Sequence, residues 1–95
     1  MAEFLAPDLL QLVVEMEGAR DRRDVLEYAE CTVSGYALER GFGFARQVRT
    51  QVSERGGVWR ADAVYSVSTS IPRGLRTIDA DAAVDDCRAR GIPTV

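Results

Sequence analysis

The chain has 95 residues, 46% of them hydrophobic, and a formal net charge of −3. This size and composition predict one small globular α+β domain spanning residues 1–95, rather than a disordered chain. Because the chain contains no histidine, lysine or asparagine, it excludes Ser-His and Cys-His nucleophiles, a Schiff-base lysine and a Walker-type phosphate loop.

All twelve basic residues are arginine, a bias toward GC-rich codons that indicates a bacterial chain from a GC-rich genome. The N-terminal segment MAEFLAPDLL lacks the positive charge and the apolar run of a secretory signal, so we expect a cytoplasmic protein without membrane contact. In that reducing compartment Cys31 and Cys87 are predicted to be buried thiols, with a disulfide as the alternative. We expect no metal and no cofactor, because two cysteines without histidine cannot form a structural zinc site.

Two helices are predicted in the N-terminal part of the chain. Pro7 suits a first helical position, and four apolar residues then share one face: Leu9, Leu12, Val13 and Met16. Asp24 and Glu27 have the spacing of a capping box and begin a second helix that ends at Gly41. A strand over residues 24–40 remains the alternative, because apolar and aromatic residues also recur there at even positions.

A long antiparallel hairpin is predicted in the middle of the chain. Two strand-like runs flank Gly56 and Gly57, a pair typical of a two-residue type I′ turn. Such a turn predicts four pairs on the apolar face: Val52 with Ala61, Thr50 with Ala63, Val48 with Tyr65, and Phe44 with Thr69.

The hydroxyl-rich segment YSVSTSIPRG follows from this register. Ser66, Ser68 and Ser70 alternate with larger side chains, so they are predicted to share the polar face of the hairpin. No histidine or lysine is present to activate them. We interpret them as a solvated face, with a hydroxyl-lined ligand or partner surface as the alternative.

Arg46 breaks this pattern, because the register places it on the apolar face opposite Val67. A charge there requires a partner, an open sheet end or a pocket. One interpretation is a guanidinium that reaches solvent at the sheet edge. The other is a pocket or subunit interface in which Arg46 faces Glu27, Glu30 or a bound anion.

A short C-terminal helix is predicted from about Asp79 to Arg90, packed on the sheet. Asp79 and Asp81 in its first turn and arginines in its last turn complement the helix dipole. Four residues form a narrow apolar stripe: Ala80, Ala83, Val84 and Cys87. Asp86 and Arg90 have the spacing of an ion pair within the helix.

Charge is unevenly distributed, since residues 42–76 are basic and both flanking regions are acidic. Arg73, Arg76 and the other arginines of this region either bind an anion or pair with the acidic helices. The second interpretation is favoured, because the chain is acidic overall, and we do not expect nucleic acid as a partner.

These observations predict a non-enzymatic binding or interaction module that works as a homo-oligomer, most simply a homodimer. Two strands alone give the helices little to cover, so the sheet is expected to be extended by a second copy. One alternative is a ligand-binding or catalytic site for a small anion between subunits, formed by residues that include Arg46, Tyr65, Glu27 and Glu30. The other alternative is a nucleic-acid-binding accessory that uses the basic hairpin.

Overall fold

The computed structural model describes residues 1–70 and 77–92. Over these residues the chain forms a five-stranded antiparallel sheet with two helices on one face. The elements in chain order are β1 (Ala2–Ala6), β2 (Leu9–Glu17), α1 (Arg22–Glu39), β3 (Phe44–Arg55), β4 (Val58–Ser68), β5 (Ile78–Asp79) and α2 (Ala80–Ala89). The strands lie in the order β1-β2-β4-β3-β5. The predicted α+β class is therefore confirmed.

The first predicted helix is wrong, because its residues form β2 and the turn that precedes it. Leu10, Leu12 and Val14 are buried and alternate along β2, which is the two-residue period of a strand. The run LLQLVVEM satisfies the helical and the strand period alike. The segment forms a strand and not a helix because it pairs with β4 along the whole length of β2.

Helix α1 confirms the second predicted helix, although it begins earlier than Asp24. Asp21 is the N-cap, and its carboxylate accepts a hydrogen bond from the backbone N–H of Asp24 at 3.2 Å. Arg20 donates two side-chain hydrogen bonds of 3.0 Å to the carboxylate of Asp24 and lowers its pKa to about 2. Gly41 follows the helix with a φ of 85°, a left-handed conformation that glycine adopts readily.

Strands β3 and β4 form the central hairpin. Gly56 and Gly57, both with positive φ, connect the two strands. Two of the predicted pairs are observed, Val52 with Ala61 and Thr50 with Ala63. Beyond them the predicted register is wrong, because a β-bulge lies between Gln47 and Arg49.

The bulge changes which side chains face the helices. Gln47 takes the predicted place of Val48 opposite Tyr65, and Phe44 lies opposite Ser68 instead of Thr69. Arg46 pairs with Ser66 rather than Val67 and is exposed, so its predicted position on the apolar face is wrong. The prediction failed because an extra residue in one strand shifts the pairing beyond it by one position.

The core lies between α1 and one face of the sheet. Val25, Ala29 and Val33 of α1 pack on buried residues of β2 and β4: Leu10, Leu12, Val14, Ala61, Ala63 and Tyr65. Ser66 and Ser68 lie on the opposite face, as the alternation predicts. Strand β2 pairs with β4 on the side away from β3. The sheet is therefore wider than the predicted two-stranded hairpin within a single chain.

Helix α2 confirms the predicted C-terminal helix and packs beside α1. Asp79 is its N-cap and Arg90 its C-cap, and the predicted pair of Arg90 with Asp86 forms at 2.9 Å. Within the described ranges, no helix is long and apolar enough to cross a membrane.

A disulfide joins Cys31 of α1 to Cys87 of α2, with their Cα atoms 6.0 Å apart. Both cysteines are buried. The prediction of two buried thiols is therefore wrong, although their burial is observed. The error arose because a separation of 56 positions carries no information about whether two helices meet.

Candidate ligand-binding cleft

A cleft of about 790 Å³ opens between the two helices and the sheet. Its polar lining residues come from four elements and the residue preceding β5: Glu30, Gln47, Tyr65, Thr77 and Asp79. Its apolar lining residues are Leu26, Val48, Ile78, Ala82 and Ala83. All five described elements that follow β2 thus contribute to one concave surface.

Local structure explains why these residues converge. Leu26 and Glu30 are four residues apart and therefore lie on the same face of α1. The bulge in β3 places Gln47 opposite Tyr65, on the face of the sheet that the helices cover. Strand β5 pairs with the start of β3, with Ile78 opposite Ala45, and so brings the first turn of α2 to the cleft.

Tyr65 is the most buried of the polar lining residues, with 4% of its surface exposed. Burial raises the pKa of its phenol, and the nearby carboxylate of Glu30 raises it further. The hydroxyl therefore stays protonated at neutral pH. It can donate or accept a hydrogen bond, and the ring adds an apolar surface.

Glu30 lies at the mouth of the cleft and is exposed as a residue. Desolvation of its carboxylate nevertheless raises its pKa, opposed by the positive charge of Arg90. Arg90 itself contacts Glu27 at 3.2 Å and Asp86 at 2.9 Å. Among the described arginines, none lies within ion-pair distance of Glu30.

Two further polar groups complete the wall. The Oγ1 atom of Thr77 is buried and has no hydrogen-bond partner in the described part of the chain. Gln47 donates a hydrogen bond from Nε2 to Oγ1 of Thr50, which fixes its carboxamide on β3. The cleft lining thus includes a buried hydroxyl oxygen without a hydrogen-bond partner in the described part of the chain and a carboxamide held by Thr50.

The structure brings together two of the six residues that the sequence singled out, Tyr65 and Glu30. Glu27 lies outside the cleft lining and pairs with Arg23 at 3.3 Å and with Arg90. Arg46 lies on the opposite face of the sheet. Two of the predicted residues, Arg73 and Arg76, lie outside the described residues.

Sequence reasoning missed Gln47 and Thr77 as cleft residues. The predicted register, which pairs Val48 with Tyr65, places the neighbouring Gln47 on the polar face, and only the bulge brings Gln47 opposite Tyr65. Thr77 precedes β5, which is two residues long and too short to show a period. Asp79 was identified as a helix-start acid, and that role is confirmed by its hydrogen bond from the N–H of Ala82 at 3.2 Å.

The arrangement suits the binding of a ligand that carries both apolar and polar groups. Over residues 1–70 and 77–92, no cluster of three or more acidic or cysteine side chains is placed to hold a metal ion. The polar groups of the cleft are instead spread around apolar walls, which is typical of organic ligand sites.

Comparison with known proteins identifies a matching family and a curated relative. Residues 1–91 match the family described as the YNQ4 C-terminal domain. The chain is 30% identical over 88 residues to an uncharacterised 26.9 kDa protein in the nqo8 5′ region of Paracoccus denitrificans. That alignment covers 93% of this chain and 34% of the relative, so the chain spans about a third of the curated relative's length. No solved structure gives a significant match.

Proposed function

This chain belongs to the YNQ4 C-terminal domain family, and we propose that it is a non-enzymatic binding domain whose ligand site is the cleft. The observation that supports this function is the combination of about 790 Å³ of space, apolar walls and convergent polar groups. Pockets of this size, with a few polar groups that orient the ligand, are usual for small organic ligands.

The chemistry of Tyr65 favours binding over catalysis. A general base must lose its proton near the working pH, whereas burial raises the pKa of this phenol. Tyr65 is therefore suited to hydrogen bonding and to contact through its ring. Its strand position and burial hold it in one place, which reduces the entropy lost when a ligand is bound.

The nucleic-acid alternative receives less support from the hairpin. Arg49 of β3 contacts Asp62 of β4 at 3.6 Å on the outer face of the sheet. This arginine is thus already opposed by an acid, although the acid belongs to the same hairpin and not to the acidic helices that the sequence analysis favoured as partners. The homo-oligomer and the cytoplasmic location stay predictions.

We expect the cleft to bind small amphipathic molecules in a titration followed by amide NMR spectra. Three probes share a phenyl ring and a four-carbon chain and differ in the end group: phenylbutylamine, phenylbutanol and phenylpentanoate. At least one should shift the backbone signals of Val48, Ile78 and Ala83 in a saturable manner.

The outer face of the sheet supplies the internal control. Signals of Ser53 and Arg60, which pair there, should not move with the same dissociation constant. If none of the three probes produces a saturable shift at the cleft, or if shifts spread evenly over both faces, the proposed site is wrong.

A further inference from the structure

We propose that the cleft selects an organic cation, namely an ammonium or guanidinium group carried on an apolar stem. This inference rests on the proposed function, because it specifies the ligand of the same cleft. Its basis is the charge of the lining residues, the aromatic ring of Tyr65, and a polar atom that the described fold leaves unsatisfied.

The charge of the cleft is negative over its described lining. Glu30 on α1 and Asp79 before α2 are its ionisable carboxylates, and they approach the cleft from different elements. A bound cation is attracted by both, whereas a bound anion is repelled by both. A carboxylate also accepts the charge-assisted hydrogen bonds that ammonium and guanidinium groups donate.

The described charged neighbours of Glu30 do not reverse the sign of the charge in the cleft. Glu27 on α1 and Asp86 on α2 both act electrostatically on Glu30, as does Arg90. Arg90 is shared between Glu27 and Asp86 through contacts of 3.2 and 2.9 Å. Arg23 contacts Glu27 at 3.3 Å and adds a second positive charge, so these four neighbours balance one another and leave the negative charge of Glu30 in place.

The start of α2 is the feature that could have favoured an anion, because a helix N-terminus carries a partial positive charge. Here the carboxylate of Asp79 already accepts the N–H of Ala82 at 3.2 Å. Asp81 adds a second acid in the first turn. The helix end is thus capped and neutralised by the chain itself.

Tyr65 and Thr77 provide the contacts that a cation on an apolar stem requires. An aromatic ring attracts a cation over its face, and the raised pKa of Tyr65 keeps the phenol uncharged. The unsatisfied Oγ1 of Thr77 can accept a hydrogen bond. Ammonium and guanidinium groups carry several N–H donors, so one ligand can serve more than one acceptor.

The three matched probes test this selectivity. We expect phenylbutylamine to bind at least about tenfold more tightly than phenylbutanol, which corresponds to one charge-assisted interaction. Phenylpentanoate should bind more weakly than the alcohol. Binding of the amine should also lower the pKa of Glu30, measured from its side-chain carboxyl resonance.

The variant E30Q should remove most of the preference for the amine, while binding of the alcohol stays within about twofold. The matched control is E39Q, because Glu39 is an exposed residue of the same helix, lies outside the cleft lining and is not among the groups that act on Glu30; it should retain the preference. The order of the three probes on the unmodified protein is informative even if E30Q does not fold.

Two results would overturn the cation inference while leaving the binding site intact: equal affinity for the amine and the alcohol, or tightest binding of the carboxylate. Loss of saturable binding for all three probes would instead overturn the proposed function. The two failures are therefore distinguishable in one set of titrations.

The source of the cation is resolved by a second pair of probes with the same guanidinium group. Butylguanidine represents a free small molecule, and a capped Ala-Arg-Ala peptide represents a basic side chain of a partner protein; each carries one positive charge. Tighter binding of butylguanidine assigns the site to a free small cation, and tighter binding of the peptide assigns it to a protein partner. Failure of both to bind would contradict the cation inference.

Discussion

Two acidic side chains three residues apart on α1 have different environments. Glu27 forms ion pairs with Arg23 and Arg90, whereas Glu30 lines the cleft and has its pKa raised by desolvation. Both residues were equivalent candidates in the sequence. Their difference arises from the position of α2, since Arg90 reaches one carboxylate within ion-pair distance and not the other.

The raised pKa of Glu30 predicts a pH effect on stability. The folded chain holds this proton more tightly than the unfolded chain, so protonation of Glu30 stabilises the folded state. This stabilisation is fully present below the ordinary glutamate pKa of about 4.3. It is lost as the pH rises through the higher pKa of the folded state. The variant E30Q should therefore match the unmodified protein at acidic pH and be the more stable of the two near neutral pH.

Thermal unfolding across this pH range measures the difference. The matched control is E3Q, which removes an exposed glutamate of β1 that lies outside the cleft lining. A gap between E30Q and the unmodified protein that does not change with pH would contradict the shifted pKa. Because Glu30 is exposed as a residue, we expect the effect to be modest.

At the scale of elements, α2 is held in place by a few specific contacts. Its N–H at Ala80 donates to the carbonyl of Gly43 at 2.9 Å, β5 pairs with the start of β3 through two residues, and the disulfide attaches it to α1. Its buried side chains are small: Ala80, Val84 and Cys87. The disulfide therefore supplies an important part of the attachment of this cleft wall.

Loss of the disulfide should destabilise the domain. By the chain-entropy relation, a bond that closes a loop of this length lowers the free energy of the folded state by about 4 kcal/mol relative to the unfolded chain. The double variant C31S/C87S, and the unmodified protein in excess dithiothreitol, should both show a lower denaturant midpoint. The variant should be insensitive to the reductant.

Equal midpoints for the oxidised protein, the reduced protein and the double variant would contradict a contribution from this bond.

The disulfide also bears on the expected cytoplasmic location. Disulfides are rare in reducing compartments. A thiol titration of protein taken directly from cells under acid quench will therefore show whether Cys31 and Cys87 are paired where the protein resides.

At the scale of the whole molecule, the reason for expecting an oligomer has changed. The sequence predicted two strands that needed a second copy to complete a sheet, whereas β1, β2 and β5 complete it within the chain. Among the described strands, β1 and β5 are the two edges of the sheet, and each pairs with another described strand on one side only. The bulge between Phe4 and Ala6 interrupts the regular pairing of β1, a feature that often protects edges.

The homodimer is nevertheless directly testable. Size-exclusion chromatography with light scattering should give about twice the 10.5 kDa of one chain at micromolar concentration, and dilution should shift the mass downward. A mass of 10.5 kDa that does not change with concentration would contradict the prediction and place the cleft's function in a monomer.

How far the sequence predicted the fold varies between elements. Helices α1 and α2 were predictable because caps and an apolar stripe are local signals, although residues 24–40 also fitted the period of a strand. The alternation in β3 and β4 predicted their pairing near the turn, where Val52 meets Ala61. The candidate site was predicted in part, since Glu30 and Tyr65 were named, while the arginines expected beside them were not found there among the described residues.

The amino-acid sequence by itself determined the elements whose residues obey one period only, together with the absence of imidazole and amine chemistry. The tertiary structure decided the remainder: the formation of a strand by residues 9–17, the bulge at Val48, the pairing of Cys31 with Cys87 and the cleft itself. The physical reason is that each of these depends on contacts between residues far apart in the chain. A segment that suits two local conformations takes the one whose distant partner buries more apolar surface and satisfies more backbone groups.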